Sequence, residues 1–237
     1  MSDTPEPRLR GAIVPVTPFQ QNCAILWDDA TKQAMVVDPG GDVARILDAI
    51  DQSGANVERI LLTHGHLDHT GNLFWAKRWT GAPVYAHAAE QAHIDGTYSY
   101  AGVARWCGRL ERIGYDLLNY RPAVIDQFIE DRDELPFWGG LRVVHLPGHT
   151  EGHCGFFSER HDLLFSGDLF ASYFFKVHLP PPILNSRPEL ILGSLRKALA
   201  LDASQIVPQH YDVLDGRLHR RRFEALCQRK LAAHPIS

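Results

Sequence analysis

Hydrophobic residues along the chain follow two different periods, one typical of strands and one typical of helices. Apolar runs bounded by polar turns predict strands at residues 11–17, 22–27, 33–37, 60–62, 84–86, 141–146, 154–158, 163–166 and 205–207. Apolar residues at helical spacing predict helices after Asp42, after Thr70, over 188–200 and over 217–231. This mixture predicts an α/β fold in layers.

Polar residues and glycine mark where two of these helices begin or end. Asp42 is in position to cap a helix that contains Val43, Ile46, Leu47 and Ile50, and Gly54 ends it. Thr70 is predicted to cap the next helix. Pro188 suits the first turn of the helix over 188–200.

Two segments depart from this alternation. Residues 93–135 read as largely helical and are rich in aromatic residues and arginine. They are expected to form a helical insertion with an aromatic core, a lid that supplies substrate contacts, or both. Residues 170–187 contain three consecutive prolines, Pro180–Pro182, and are expected to be irregular.

Composition limits the class of protein. We treat residues 1–237 as one domain that ends in a C-terminal helix over 217–237. A net charge of −4 gives no reason to expect nucleic acid or membrane as a partner. The four cysteines are scattered, and no signal peptide or run of about 20 apolar residues occurs. A cytoplasmic protein with reduced thiols is therefore expected. The oligomeric state is left open.

The densest chemistry lies in residues 63–69, directly after the apolar run 60–62. Here His64, His66, Asp68 and His69 fall within six positions. Imidazole and carboxylate suit zinc, iron and manganese. A polar surface loop is the alternative, but four such side chains after a buried strand favour metal binding.

Three more residues of ligand type follow predicted strands. They are His149, Asp168 and His210. One alone would usually be a turn residue. Together with the first four they make seven, which is enough for two metal ions, and loops at one edge of a sheet commonly assemble such sites.

These motifs closely resemble the metallo-β-lactamase fold superfamily. The matching segments are Thr63–His69, Pro147–His153, Ser166-Gly167-Asp168 and Pro208-Gln209-His210, spread over about residues 11–215. The glyoxalase II (hydroxyacylglutathione hydrolase) branch is the most similar. Its support is the form of the His149 motif, together with Pro18-Phe19-Gln20-Gln21-Asn22 and Val37-Asp38-Pro39-Gly40-Gly41.

The resemblance implies a four-layer αβ/βα sandwich with the site at one edge of two facing sheets, and the helical insertion 93–135 added to it. It implies that His64, His66 and His149 hold one divalent metal, that Asp68, His69 and His210 hold a second, and that Asp168 bridges them. Zinc is favoured, with iron or manganese as alternatives. A metal-bound water, its pKa lowered toward ~7, would be the nucleophile. Asp68 would also orient this hydroxide.

A centre built only from metal ligands suits a thioester, because a thiolate leaving group needs little acid assistance. The expected function is therefore a metal-dependent hydrolase, a thioesterase of the hydroxyacylglutathione type. The chain lacks the basic signature after the bridging aspartate and the C-terminal helical domain that binds glutathione in that branch. Glutathione recognition is thus not implied. Tyr173 and Lys176 are substrate contacts by position only.

Other interpretations stay open. The same fold hydrolyses lactones and other esters, and related folds use a single iron for persulfide dioxygenation. A nuclease is disfavoured by the charge. An inactive metal-binding scaffold is disfavoured by the seven ligands. His153 is either structural or a support for the ligands, and Asp38 either braces the metal loop or ends a strand.

Overall fold

The computed structural model describes residues 8–17, 19–173, 176–212 and 215–233, so Pro18 and His234 lie outside it. The first sheet has six strands in chain order, antiparallel up to β3 and parallel from there. Its strands are β1 (Leu9–Val16), β2 (Gln21–Asp28), β3 (Gln33–Val37), β4 (Asn56–Leu61), β5 (Val84–Ala86) and β6 (Gln127–Phe128).

The second sheet has five strands. They are β7 (Glu134–Leu135), β8 (Leu141–His145), β9 (Cys154–Ser158), β10 (Leu163–Phe165) and β13 (Gln205–Val207), in the spatial order β13-β10-β9-β8-β7. A separate hairpin pairs β11 (Ala171–Tyr173) with β12 (Lys176–His178).

Seven α-helices complete the part of the chain that the structure describes. They are α1 (Val43–Ser53), α2 (Leu67–Thr70), α3 (Leu73–Thr80), α4 (Gln91–Ile94), α5 (Arg105–Leu117), α6 (Ile191–Leu199) and α7 (Gly216–Ala232), with short 3₁₀ turns between some of them. Among the described helices, none has both the length and the apolar character to cross a lipid bilayer.

Three apolar cores separate four layers, as expected for the αβ/βα sandwich. Successive residues of β2 point to opposite faces of the first sheet, so Ile25 packs toward α1 and α3 while Leu26 packs between the sheets. Phe156 of β9 enters the same central core from the second sheet. Phe223 of α7 belongs to the outer core that α6 and α7 form on that sheet.

Local structure differs from the sequence expectations at several places. Within the segment 93–135, helix is confined to the end of α4, the 3₁₀ turn before α5, and α5, and the rest is irregular chain with two short strands. The segment 170–187 contains the β11–β12 hairpin. Asp42 has a left-handed φ of 54°, and its side chain caps no helix amide. Thr70 closes α2, its hydroxyl donating to the His66 carbonyl, and Asn72 precedes α3.

Strand direction brings the sequence motifs to one edge. Since β8, β10 and β13 run parallel to one another, the segments after them leave the second sheet at the same end. These segments contain His149, Asp168 and His210. The loop after β4 meets them from the first sheet, where the Cys154 amide donates to the Thr63 carbonyl at 2.8 Å.

Candidate metal centre

The structure brings all seven predicted ligands together in one buried cluster. Their ligand atoms form overlapping groups, each with atoms within 4.8 Å of one another. The groups are His64, His66 and His149; Asp68, His69 and His210; and His64, His69 and Asp168. The Asp168 carboxylate lies between the first two groups, at 3.4 Å from His149 Nε2 and 3.3 Å from both His69 Nε2 and His210 Nε2.

Hydrogen bonds fix the orientation of four imidazoles. Each has Nδ1 held by a protein oxygen outside the cluster, which leaves Nε2 directed inward as a lone-pair donor. The partners are Thr63 Oγ1 for His64, Asp38 Oδ2 for His69, Asn185 Oδ1 for His149 and the Phe19 carbonyl for His210, at 3.0–3.1 Å. His66 differs, because its Nε2 lies 3.9 Å from Cys107 Sγ and its Nδ1 is left for the cluster.

Asp38 organises the loop that contains four of the predicted ligands. Its Oδ1 accepts from the Thr63 amide at 2.7 Å, and its Oδ2 accepts from the Thr63 hydroxyl, from Gln209 Nε2 and from His69 Nδ1. The residue is fully buried. Of the two interpretations of Asp38, these contacts favour the brace: one carboxylate joins the loop after β4 to the segment after β13.

Charge divides the cluster into two halves. Burial lowers the pKa of His64 and His66 well below the usual value, so both imidazoles are neutral, the form that binds metal. Burial also acts to lower the pKa of His69, but the carboxylates of Asp168, Asp68 and Asp38 raise it to about 10. The carboxylates therefore attract positive charge to this half, either as protons or as metal cations.

The buried polar atoms fit a metal centre. Among the described residues, His64 Nε2, His149 Nε2 and Asp168 Oδ1 are buried and have no hydrogen-bond partner. Such atoms are costly in a folded protein unless something pairs with them. All three point into the cluster, and imidazole nitrogen and carboxylate oxygen are the donors that suit zinc, iron or manganese.

Glu90 is a contact that the sequence motifs did not indicate. The side chain is fully buried and its two oxygens accept from the Gly65 amide at 2.6 Å and from the Gly152 amide at 2.7 Å. Burial raises the pKa of Glu90 to about 7 despite these bonds. Gly65 lies between two of the predicted ligands and Gly152 lies in the motif of His149, so this carboxyl group joins the two loops that carry them.

The replacement Glu90→Ala is expected to lower metal affinity about 10- to 100-fold, the range for partners that orient ligands. The reason is that both amides would lose their acceptor and the loops could separate. Competition with a chromophoric chelator measures the affinity. Glu134→Ala, on the exposed end of β7, is the control and should bind metal like the wild type. Equal affinity in both variants would contradict the role of Glu90.

His153 lies beside the cluster and supports Asp168. Its Nδ1 donates to the Leu146 carbonyl and its Nε2 accepts from the Asp168 amide, both at 2.9 Å. Burial lowers the pKa of His153 to about 4, which keeps the ring neutral. Both nitrogens are therefore engaged by the backbone, and the structure favours a supporting role over a ligand role.

We expect His153→Ala to retain most of the metal while activity falls about 10- to 100-fold, because only the backbone support of Asp168 is lost. Elemental analysis and initial rates on the same sample measure the two effects. His161→Ala is a suitable control, since that ring stacks on Trp138 away from the cluster. A metal-free His153→Ala protein would make His153 a ligand.

A further group of side chains that could bind a metal adjoins the group of His64, His66 and His149. It consists of His66, Cys107 and Glu111. Glu111 is already engaged, because it accepts from the Leu67 amide at 3.2 Å and from the Tyr100 hydroxyl at 2.6 Å. Helix α5 thus contacts the loop of residues 63–69 directly, through Cys107 and Glu111.

The two predicted substrate contacts lie on the β11–β12 hairpin, where Tyr173 and Lys176 are opposite each other. The Tyr173 ring is 5.3 Å from the ring of Tyr211, the neighbour of His210 in the chain. Lys176 is exposed. Their contact with substrate stays a prediction.

Comparison with known proteins identifies the family. The family model described as "Metallo-beta-lactamase superfamily" matches residues 16–210. The chain belongs to this superfamily. Hydroxyacylglutathione hydrolase GloC of Haemophilus influenzae is 33% identical over 159 residues, which are 66% of this chain and 70% of that protein. Probable metallo-hydrolase YqgX of Bacillus subtilis is 31% identical over 208 residues, 86% of this chain and 87% of its own.

Solved structures agree on the fold. The structure titled as TTHA1623 in a di-iron-bound form superposes with a TM-score of 0.70 at 24% identity, and the match covers 89% of this chain and 98% of that one. The superfamily binds divalent metals through clusters of histidine and aspartate, and the cluster found here has that composition. The chain is therefore a member of a superfamily of metallo-hydrolases. One of its relatives is a glyoxalase II-type enzyme.

Proposed function

We propose that this protein is a dinuclear metal-dependent hydrolase that cleaves a thioester. The observation that carries the proposal is the arrangement of the seven side chains: two groups of three lie side by side, and the carboxylate of Asp168 is within 3.4 Å of a histidine in each. A single-metal site would need only one of these groups. The 33% sequence identity to a hydroxyacylglutathione hydrolase supports a thioester as the substrate.

In the proposed centre, His64, His66 and His149 would hold one divalent cation and Asp68, His69 and His210 would hold the second, with Asp168 available to both. When bound, such cations polarise a carbonyl group and make water nucleophilic at neutral pH. Zinc is our first choice, and the di-iron form of TTHA1623 makes iron the alternative.

Three carboxyl groups of the chain orient the attacking water and hold the surrounding loops. Asp68 is the most accessible of the three site carboxylates, with 20% of its side chain exposed. It is the group available to orient the attacking water. Asp38 and Glu90 are fully buried and hold the ligand loops in place before substrate arrives.

The leaving group decides between substrate classes. The carboxylates of the site are committed to cations and imidazoles, so they are poor proton donors. A thiolate departs without a proton because the pKa of a thiol is near ~8.5, whereas an amide nitrogen needs one. Thioesters are therefore the bond type that this set of residues suits.

A substrate panel on metal-loaded protein tests the proposal. It contains S-lactoylglutathione, other acyl thioesters and lactones, with oxygen uptake on glutathione persulfide measured in parallel. We expect thioester hydrolysis that a chelator abolishes and added metal restores. Lactone hydrolysis alone would assign an ester hydrolase. Oxygen uptake would assign a dioxygenase, and no turnover on any substrate would contradict catalysis by this centre.

A further inference from the structure

Helix α5 exposes a continuous apolar stripe. Val103, in the turn before the helix, and Trp106, Leu110, Ile113 and Leu117 follow one another at intervals of three and four residues, which places them on one side of the helix. Each of the five is between 55% and 79% exposed. Large apolar side chains occur singly on protein surfaces, but a contiguous row of them marks an interaction site.

The neighbouring side of the same helix is fixed, so the stripe cannot turn inward. Glu111 accepts from the Leu67 amide, and Cys107 lies against His66. A β-carbon at Gly114 would lie 2.4 Å from Leu67 Cδ2, which shows how closely the backbone of α5 packs there. The exposed stripe therefore belongs to the packed fold.

The spacing of the stripe fits another helix. Intervals that alternate between three and four residues average 3.5, the repeat with which two helices pack side by side along a narrow seam. Arg109 and Asp116 lie seven residues apart along one flank of the stripe. A helix with a cation and an anion on the same flank is complementary to a second copy of itself in antiparallel orientation.

We propose that α5 is the interface of a homodimer in which two α5 helices pair in antiparallel orientation about a two-fold axis. Leu110 packs against Ile113 of the second copy, and Trp106 packs against Leu117 of the second copy. In this register Arg109 lies opposite Asp116 of the second copy, and the symmetry repeats the pair. The inference is independent of the reaction proposed above.

A lipid surface is the competing occupant of an apolar helix face with arginines nearby. Two observations favour the second copy. The net charge of the chain is −4 and Asp116 offsets Arg109 beside the stripe, so electrostatic attraction to an anionic membrane is weak. The apolar stripe is also narrow, whereas helices that lie in membranes have a broad apolar face.

Sedimentation of the full metal-loaded chain across a micromolar concentration series tests the proposal. We expect a species of twice the 26.6 kDa mass of the chain. Leu110→Glu should give monomer, whereas Val124→Glu, which changes an even more exposed apolar residue outside α5, should leave the dimer intact. Metal content and circular dichroism equal to the wild type show that each variant is folded. A wild type that stays monomeric, or a Leu110→Glu dimer, overturns the proposal.

Charge exchange tests the register. Arg109→Asp and Asp116→Arg should each weaken dimerisation about tenfold or more, because each turns two attractive pairs into repulsive ones. The double variant should recover most of the loss, since the pairs form again with their signs exchanged. Failure to recover overturns the antiparallel pairing. A monomer that binds vesicles of phosphatidylglycerol through the stripe assigns it to lipid and overturns the homodimer.

Discussion

Asp168→Ala is expected to lose metal and activity together, with metal affinity reduced more than about 100-fold. Partners that only orient a ligand account for about 10- to 100-fold, so a group that contacts both cations should exceed that range. The structure gives the reason: one carboxylate approaches the Nε2 atoms of His149, His69 and His210 within 3.4 Å. The replacement also removes the negative charge that lies between these buried imidazoles.

Metal content by elemental analysis and thioester hydrolysis by initial rates, on the same preparation, measure the effect. Asp48→Ala is the matched control, because that side chain is exposed on α1. We expect the control to equal the wild type. Normal stoichiometry and turnover in Asp168→Ala would contradict the bridging role.

Asp38→Asn is expected to weaken metal binding about 10- to 100-fold and also to destabilise the fold. The side chain accepts four hydrogen bonds, and an amide group can accept at only one of its two heavy atoms. Each buried donor left without an acceptor costs about 1–3 kcal/mol. Asparagine tolerates the left-handed φ of 51° at this position, so the backbone should be unaffected.

Chelator competition measures the affinity, and urea unfolding in the presence of chelator measures the stability without bound metal. Asp126→Asn is the control, since its carboxylate accepts from Lys77 and from the Val84 amide far from the cluster. It should lose a little stability and no metal affinity. A loss of affinity of the same size in both variants would show that Asp38 acts only through general stability.

The sequence predicted the layered fold and the residues of the cluster because both leave local patterns. The apolar run 22–27 marked a strand, and the structure has β2 there, with Ile25 and Leu26 in different cores. His64, His66, Asp68 and His69 are close in the chain, so their proximity in space needed no knowledge of the fold. His149, Asp168 and His210 were found because each follows a strand.

Residues whose contacts are distant in the sequence left no such pattern. Glu90 contacts two loops that lie 25 and 62 positions away, and nothing next to it in the chain marks a ligand loop. Asn185, which orients His149, lies in a proline-rich segment expected to be irregular. The hairpin of β11 and β12 was missed for a related reason: its strands have three residues each, too few to show a period.

Anomalous diffraction from crystals of the metal-loaded protein, with elemental analysis of the same sample, tests the central claim most directly. We predict two metal ions per chain. One peak should be surrounded by His64, His66 and His149, the other by Asp68, His69 and His210, and the carboxylate of Asp168 should contact both. A single ion in fully loaded protein, or two ions held by other residues, would contradict the account.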